Sequence, residues 1–229
     1  MLIKGLQKTT LLDYPSKVAA TLFTGGCNFR CPFCHNASLV THIDPYNVIT
    51  EDEILTFLKK RKGILDGVCI TGGEPLLQKD IIVFCEKIKE LGFLIKLDTN
   101  GSRPEALKAL VEKRLIDHIA MDIKNSKKLY AKTCGLSEFP EGVDESVRYI
   151  MSSGIPYEFR TTIVRELHTK ESIGELCEWI NGAEKYYLQG FKDSGDLIES
   201  GYSAYSEDEM RELCEIARKY IPTAELRGI

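Results

Sequence analysis

Short runs rich in β-branched residues alternate with amphipathic stretches along almost the whole chain. That alternation restricts the available folds more than any other feature. Strands are expected at residues 18–23, 67–71, 93–97, 117–121, 157–164 and 185–189, with a short tail at 223–227 as one more. A helix begins at Thr50, whose hydroxyl stands three residues ahead of Glu53 as in a capping box, and ends at Gly63. Further helices are expected at 79–91, closed by Gly92, and from Pro104 to about Lys113, where proline suits the first turn. The last three lie at 140–153, ended by Gly154, at 170–180, and from the Ser206 and Glu209 capping box to Lys219.

Six strand–helix units build a parallel sheet, because each helix carries the chain back to start the next strand in the same direction. Six are too few for a closed eight-stranded barrel, so a partial barrel and a flat doubly wound sheet both satisfy the pattern. Either places ligands at the C-terminal ends of the strands. No low-complexity linker interrupts the series, and residues 1–229 read as one domain. The run Lys59-Lys60-Arg61-Lys62 sits directly before Gly63 and reads as cations opposing a helix dipole.

The 30 basic and 34 acidic side chains leave a net charge of −4, which argues against a general nucleic-acid binder. At 43% hydrophobic, the chain has enough apolar content for a core, so disorder is excluded as its main state. It has no run of about 18 uncharged apolar residues, so no membrane span is expected. Lys4, Lys8 and Asp13 interrupt the N-terminus, so no secretory signal is expected either. Eight cysteines in such a chain point to a reducing cytoplasm rather than a disulfide framework.

Three of those cysteines fall within eight residues, just after the first expected strand, in Gly25-Gly26-Cys27-Asn28-Phe29-Arg30-Cys31-Pro32-Phe33-Cys34-His35-Asn36. A [4Fe–4S] cluster normally takes four thiolates, so three leave one iron open, as a reactive centre requires. Zinc held by Cys27, Cys31, Cys34 and His35 is a second reading, although structural zinc sites usually pair two separate knuckles and no second knuckle is present. A third is incidental thiols. Cys69, Cys85, Cys134, Cys177 and Cys214 are scattered and read as buried packing.

The C-x3-C-x2-C spacing, with an aromatic residue before the third cysteine, resembles the radical S-adenosylmethionine (SAM) superfamily. Within it, the chain is most similar to the activating enzymes of glycyl radical enzymes. Residues 10–15 (TLLDYP), Cys34-His35-Asn36 and the closing Leu226-Arg227-Gly228-Ile229 most resemble the branch that activates anaerobic ribonucleoside-triphosphate reductase, with pyruvate formate-lyase activation a near second. The resemblance implies an α/β fold, a partial (βα)6 barrel with parallel strands inside and helices outside. It also implies a [4Fe–4S] cluster on Cys27, Cys31 and Cys34, SAM as cofactor, and a flavodoxin- or ferredoxin-like electron donor. Phe33 is then expected beside the adenine.

Other candidate residues lie at strand ends. Thr71-Gly72-Gly73-Glu74-Pro75 reads alone as a turn, but glycines there let backbone carbonyls, or the Glu74 carboxylate, meet an ammonium group. The resemblance implies that Gly72, Gly73 and Glu74 hold the amino group of SAM. Asp98 and Thr99 end the third strand, and Asp122 and Lys124 share a face at the end of the fourth. A salt-bridged strand end is the plain reading. The resemblance implies instead that these four contact SAM and help hold a monovalent cation. Arg160 on the fifth strand suits a two-pronged contact with a carboxylate, of SAM or of a neighbouring strand. Gln189 suits either a nucleoside or a turn cap. Rival classes are a structural zinc module, an electron-transfer iron–sulfur protein, and a small-molecule radical SAM enzyme such as 7-carboxy-7-deazaguanine synthase.

Overall fold

The computed structural model describes residues 1–193 and 195–229. Eight strands among them form one sheet in chain order, and the order does not close on itself. They are β1 (Ile3–Thr10), β2 (Ala19–Thr24), β3 (Gly67–Gly72), β4 (Leu94–Thr99), β5 (His118–Asp122), β6 (Tyr157–Ile163), β7 (Tyr186–Gly190) and β8 (Glu225–Arg227). The helices are α1 (Ala37–Val40), α2 (Glu51–Lys59), α3 (Ile81–Glu90), α4 (Pro104–Glu112), α5 (Lys127–Cys134), α6 (Glu141–Ser152), α7 (Lys170–Trp179) and α8 (Glu207–Arg218). Every pairing from β2 onward is parallel, and helices connect each strand to the next. This is the expected partial (βα)6 barrel, extended at one edge by β1 and at the other by β8.

All six expected strands and the short tail form, with ends shifted by one or two residues. The Thr50 and Ser206 capping boxes both form, each with the reciprocal pair of bonds that satisfies two otherwise orphaned amides. Lys59 lies in the last turn of α2 and Lys60 caps it, as the dipole argument expects.

Among the strands and α-helices, three elements were not foreseen. β1 pairs antiparallel with β2, and shifts of register between Ile3 and Gly5 and between Gln7 and Thr10 break its alternation, which hides it in the sequence. α1 is a single turn. α5 buries only Tyr130, Thr133 and Cys134, too few apolar positions for a helical period to show, and Gly135 ends it in the left-handed region at φ 65°.

The two faces of the sheet differ in kind. Ala20, Leu22, Val68, Ile70, Ile95, Leu97, Ile119, Met121, Phe159 and Leu188 belong to one apolar cluster with Ile54 and Leu58 of α2, Phe84 and Ile88 of α3, Leu107 and Leu110 of α4, and Val147 and Ile150 of α6. The alternate residues, Thr21, Cys69, Lys96, Asp98, His118, Asp122, Glu158, Arg160 and Gln189, point to the opposite face, inside the curve of the sheet. Filled barrel interiors are usually aliphatic. Here hydrophobic packing between sheet and helices carries the fold, and the interior is left polar.

The core assignment is testable at two neighbours on α3. Phe84 is fully buried, and Phe84→Ala is expected to cost ~3–5 kcal/mol in urea unfolding. Val83 is 53% exposed, and Val83→Ala should change stability by less than ~0.5 kcal/mol. Equal losses at both would contradict the placement.

Candidate active site

One cavity of about 430 Å³ opens at the C-terminal ends of the parallel strands. Cys27, Cys31, Phe33, Cys34, Gly72, Gly73, Asp98, Thr99, Asp122, Lys124, Arg160 and Gln189 all line it. These come from the loop after β2 and from the ends of β3, β4, β5, β6 and β7. Only Glu74 of the expected set is absent from the lining.

The loop after β2 is anchored on four sides. The Gly25 amide donates to the Leu2 carbonyl at 2.9 Å, and the Gly26 amide to that of Leu39 at 2.8 Å. The Arg30 amide donates to the Cys134 carbonyl at 2.8 Å, and the Glu199 amide to the Pro32 carbonyl at 2.9 Å. Asn100 Nδ2 donates to Asn28 Oδ1 at 3.1 Å and lies 3.7 Å from Cys27 Sγ, which ties the loop to the end of β4. His35 stacks on Phe191 with ring centroids 5.5 Å apart, and its Nε2 lies 2.7 Å from the Lys192 carbonyl.

The three thiols differ in setting. Burial pushes Cys27 up to about 11 and also raises Cys34. Cys31 moves the other way, chiefly through a hydrogen bond with Cys134, while burial raises Cys134 well above the ordinary thiol value. Cys134 was expected to be inert packing. It is buried, as are Cys69, Cys85, Cys177 and Cys214, but its thiol sits against a motif cysteine.

Among the described residues, no three His, Cys, Asp or Glu side chains close around a single metal ion. The engagement of His35 with Phe191 and Lys192 weighs against the zinc reading, which needs His35 as its fourth ligand. Three thiols facing a shared cavity fit the corners of a larger iron–sulfur group, whose donors are thiolates.

The Gly-Gly-Glu turn closes against the same loop. Gly72 has φ 112°, and a Cβ on Gly73 would lie 2.0 Å from the Gly26 carbonyl oxygen. Only glycine permits this approach. The Gly72 carbonyl accepts a bond from Asn36 Nδ2 at 3.2 Å. The Glu74 carboxylate, expected as a ligand contact, turns away from the cavity and is fully buried. It accepts from the Leu76 amide at 3.0 Å, the Thr99 hydroxyl at 2.7 Å and the Asn100 amide at 2.7 Å. Burial outweighs these three donors and pushes its pKa up to about 7.

Charges alternate across β4, β5 and β6. Lys96 pairs with Asp98. Arg160 donates from Nη1 to Asp98 Oδ2 at 3.1 Å and from Nε to Asp122 Oδ1 at 2.9 Å. Lys124 Nζ donates to Asp122 Oδ2 at 3.0 Å. Burial opposes ionisation of Asp122 and Asp98, yet Arg160 with Lys124 or Lys96 holds both carboxyls below the usual range. The two-pronged contact expected of Arg160 is therefore made with the chain's own strand-end acids.

Sequence reasoning missed several lining residues. Asn36, Asn100 and Thr162 sit beside motif residues and were within reach of the strand-end argument. Asp13 was not. It lies between β1 and β2, and its carboxylate accepts a bond from the Thr21 hydroxyl inside the curve of the sheet.

Comparison with known proteins agrees with this geometry. The family model for the radical SAM superfamily matches residues 21–180. A protein of Methanocaldococcus jannaschii, provisionally named as a glycyl-radical enzyme activating enzyme, is 33% identical over 100% of this chain and 96% of its own length. The pyruvate formate-lyase-activating enzyme of Clostridium pasteurianum is 28% identical over 78% of this chain and 75% of its own. Among solved structures, a domain of pyruvate-formate lyase-activating enzyme from Bacteroides vulgatus superposes with TM-score 0.59 at 19% identity, covering 71% of this chain and 99% of that one. Streptococcus suis SuiB bound to S-adenosylmethionine superposes with TM-score 0.71 at 18% identity, covering 88% of this chain and 48% of that one. At these identities the two structures speak to the fold.

The raised Glu74 carboxyl has a pH signature. Its ordinary value is 4.5 and its folded value about 7. The proton is thus favoured in the folded state, and that contribution to stability is lost as pH rises between those two values. From about pH 5 to about pH 8, the melting temperature of the native chain should fall relative to that of Glu74→Gln. Parallel curves would show that the carboxyl titrates normally.

Proposed function

The chain belongs to the radical SAM superfamily, among the glycyl-radical enzyme activating enzymes, and from that premise we propose that it generates a glycyl radical on anaerobic ribonucleoside-triphosphate reductase. The observation that carries this reading is the meeting of three loop thiols with the strand-end motifs of β3 to β7 in one cavity. Cys27, Cys31 and Cys34 would hold a [4Fe–4S] cluster, which when bound would supply the electron for reductive cleavage of SAM and, through it, for removal of hydrogen from a glycine Cα of the partner.

The chain's own residues bind and orient. Gly72 and Gly73 present backbone carbonyls without side chains in the way, which suits the ammonium group of SAM. With Arg160 occupied by Asp98 and Asp122, Lys124 is, among the described residues, the cation that faces the cavity with only Asp122 on its ammonium group, and it is assigned to the carboxylate. Phe33, 4% exposed beside the cysteines, offers an apolar surface for adenine, and Gln189 at the end of β7 offers an amide to the nucleoside. Phe29 and Val40 add apolar lining that keeps water from a radical formed there. No helix among the described residues is long and apolar enough to cross a membrane.

The choice of partner rests on residues 10–15, Cys34-His35-Asn36 and Leu226-Arg227-Gly228-Ile229. Pyruvate formate-lyase is the second reading, favoured by the name of the Clostridium pasteurianum relative.

Anaerobic reconstitution with iron and sulfide tests the chemistry. The native chain should show cluster absorbance and cleave SAM, and Cys31→Ala should lose cleavage by at least ~100-fold. No cluster on the native chain, or equal cleavage by the variant, would overturn the mechanism. Mixing the reduced enzyme with anaerobic ribonucleoside-triphosphate reductase should give a glycyl signal by electron paramagnetic resonance. A silent mixture, with a signal on pyruvate formate-lyase in parallel, would transfer the assignment to the second partner.

A further inference from the structure

We propose that the guanidinium of Arg160 is a built-in cation between Asp98 and Asp122, and that this chain works without the monovalent metal ion implied for that carboxylate pair. Asp98 ends β4 and Asp122 ends β5 on adjacent parallel strands, so both carboxylates face the cavity. Such a pair calls for a positive charge between its members. Arg160 stands in register with Asp122 on the next strand and supplies one. Nε bonds one aspartate at 2.9 Å and Nη1 the other at 3.1 Å.

The remaining oxygens are taken as well. Asp98 Oδ1 accepts from Lys96 Nζ and lies 3.7 Å from Cys69 Sγ. Asp122 Oδ2 accepts from Lys124 Nζ. All four carboxylate oxygens therefore already face a cationic donor, supplied by three side chains, Lys96, Arg160 and Lys124. A further metal ion would meet three positive charges within the reach of the two carboxylates it needs. Side-chain exposures are 1% for Lys96, 13% for Asp98, 14% for Arg160 and 17% for Lys124, with Asp122 the most open at 32%, so water and salt screen that repulsion least around Asp98.

A third acid holds Arg160 from deeper in the sheet. Glu158 Oε1 lies 3.9 Å from Arg160 Nη1. Arg227 of β8 grips Glu158 with both terminal nitrogens, at 2.9 and 3.1 Å, and stacks on the Tyr187 ring. The guanidinium is thus fixed on three sides and keeps its charge at any working pH.

The functional meaning of this assignment rests on the cavity being the SAM site, but the ion test needs neither cluster nor SAM. The full chain would be melted in KCl, NaCl and choline chloride at equal ionic strength. Binding of thallium(I), a potassium surrogate, would be followed by thallium nuclear magnetic resonance. The native chain should melt within about 1 °C in all three salts and show no saturable thallium binding. Arg160→Met leaves one oxygen of each carboxylate without its donor, and should gain saturable thallium binding and a melting temperature about 3 °C or more higher in KCl than in choline chloride.

Saturable thallium binding by the native chain, or a potassium-specific rise in its melting temperature, would overturn the proposal. So would a folded Arg160→Met that ignores the ions. If that variant does not fold, the native chain's response decides alone, indifference supporting the assignment and saturation refuting it. Absence of SAM cleavage by the reconstituted native enzyme in every salt would refute the functional reading of the cavity and leave the cation assignment standing.

Discussion

The buried carboxylate of Glu74 joins the parts on which the site depends. Its backbone amide reaches the Gly26 carbonyl at the root of the cysteine loop. Its side chain takes the Thr99 hydroxyl and the Asn100 amide at the end of β4. Asn100 in turn reaches back to Asn28 and towards Cys27. The ends of β2, β3 and β4 are therefore held in one arrangement by one residue, through its backbone amide and its carboxylate, and without that carboxylate three donors would be buried unpaired. A residue that reads as a ligand contact contributes more by fixing where the contacts stand.

The polar inner face of the sheet follows from the same division of labour. Burying Lys96, Asp98, Glu158 and Arg160 costs desolvation energy that their mutual attraction roughly returns, so the network is weak evidence for added stability. The apolar cluster between sheet and helices supplies the stability. What the charged column provides is position. Each member is paired within its own strand or with a side chain one or two strands away, so a charge at the cavity floor stays where the register puts it. The column reaches the C-terminal strand through Arg227, which gives the short β8 a role in holding the site that its three residues of pairing would not suggest.

Much of this was legible in the sequence because period and spacing are local. The strand–helix alternation, the capping boxes at Thr50 and Ser206, the C-x3-C-x2-C loop and the motifs closing β3 to β7 all depend on neighbours in the chain. What stayed hidden depends on pairing between distant segments. β1 is obscured by its bulges, and Asp13 enters the cavity only because β1 folds back on β2. Residue type alone could not say whether Arg160 would meet a ligand carboxylate or a neighbouring strand's acid. The register of Asp122 against Arg160 decides it.

Cys134 shows why composition could sort the cysteines only in part. By sequence it belongs with Cys69, Cys85, Cys177 and Cys214, scattered and buried. α5 ends at Cys134, its carbonyl accepts the Arg30 amide, and a Cβ on the following Gly135 would lie 2.7 Å from the Arg30 carbonyl oxygen. That close crossing of two backbones needs a glycine in the left-handed region and brings the Cys134 thiol to Cys31. A thiol donating to another sulfur favours the thiolate on the acceptor, the form that ligates metal. The burial that makes Cys134 hard to ionise therefore keeps it a donor. A side chain that reads as filler favours the thiolate form of one of the three loop cysteines that line the cavity.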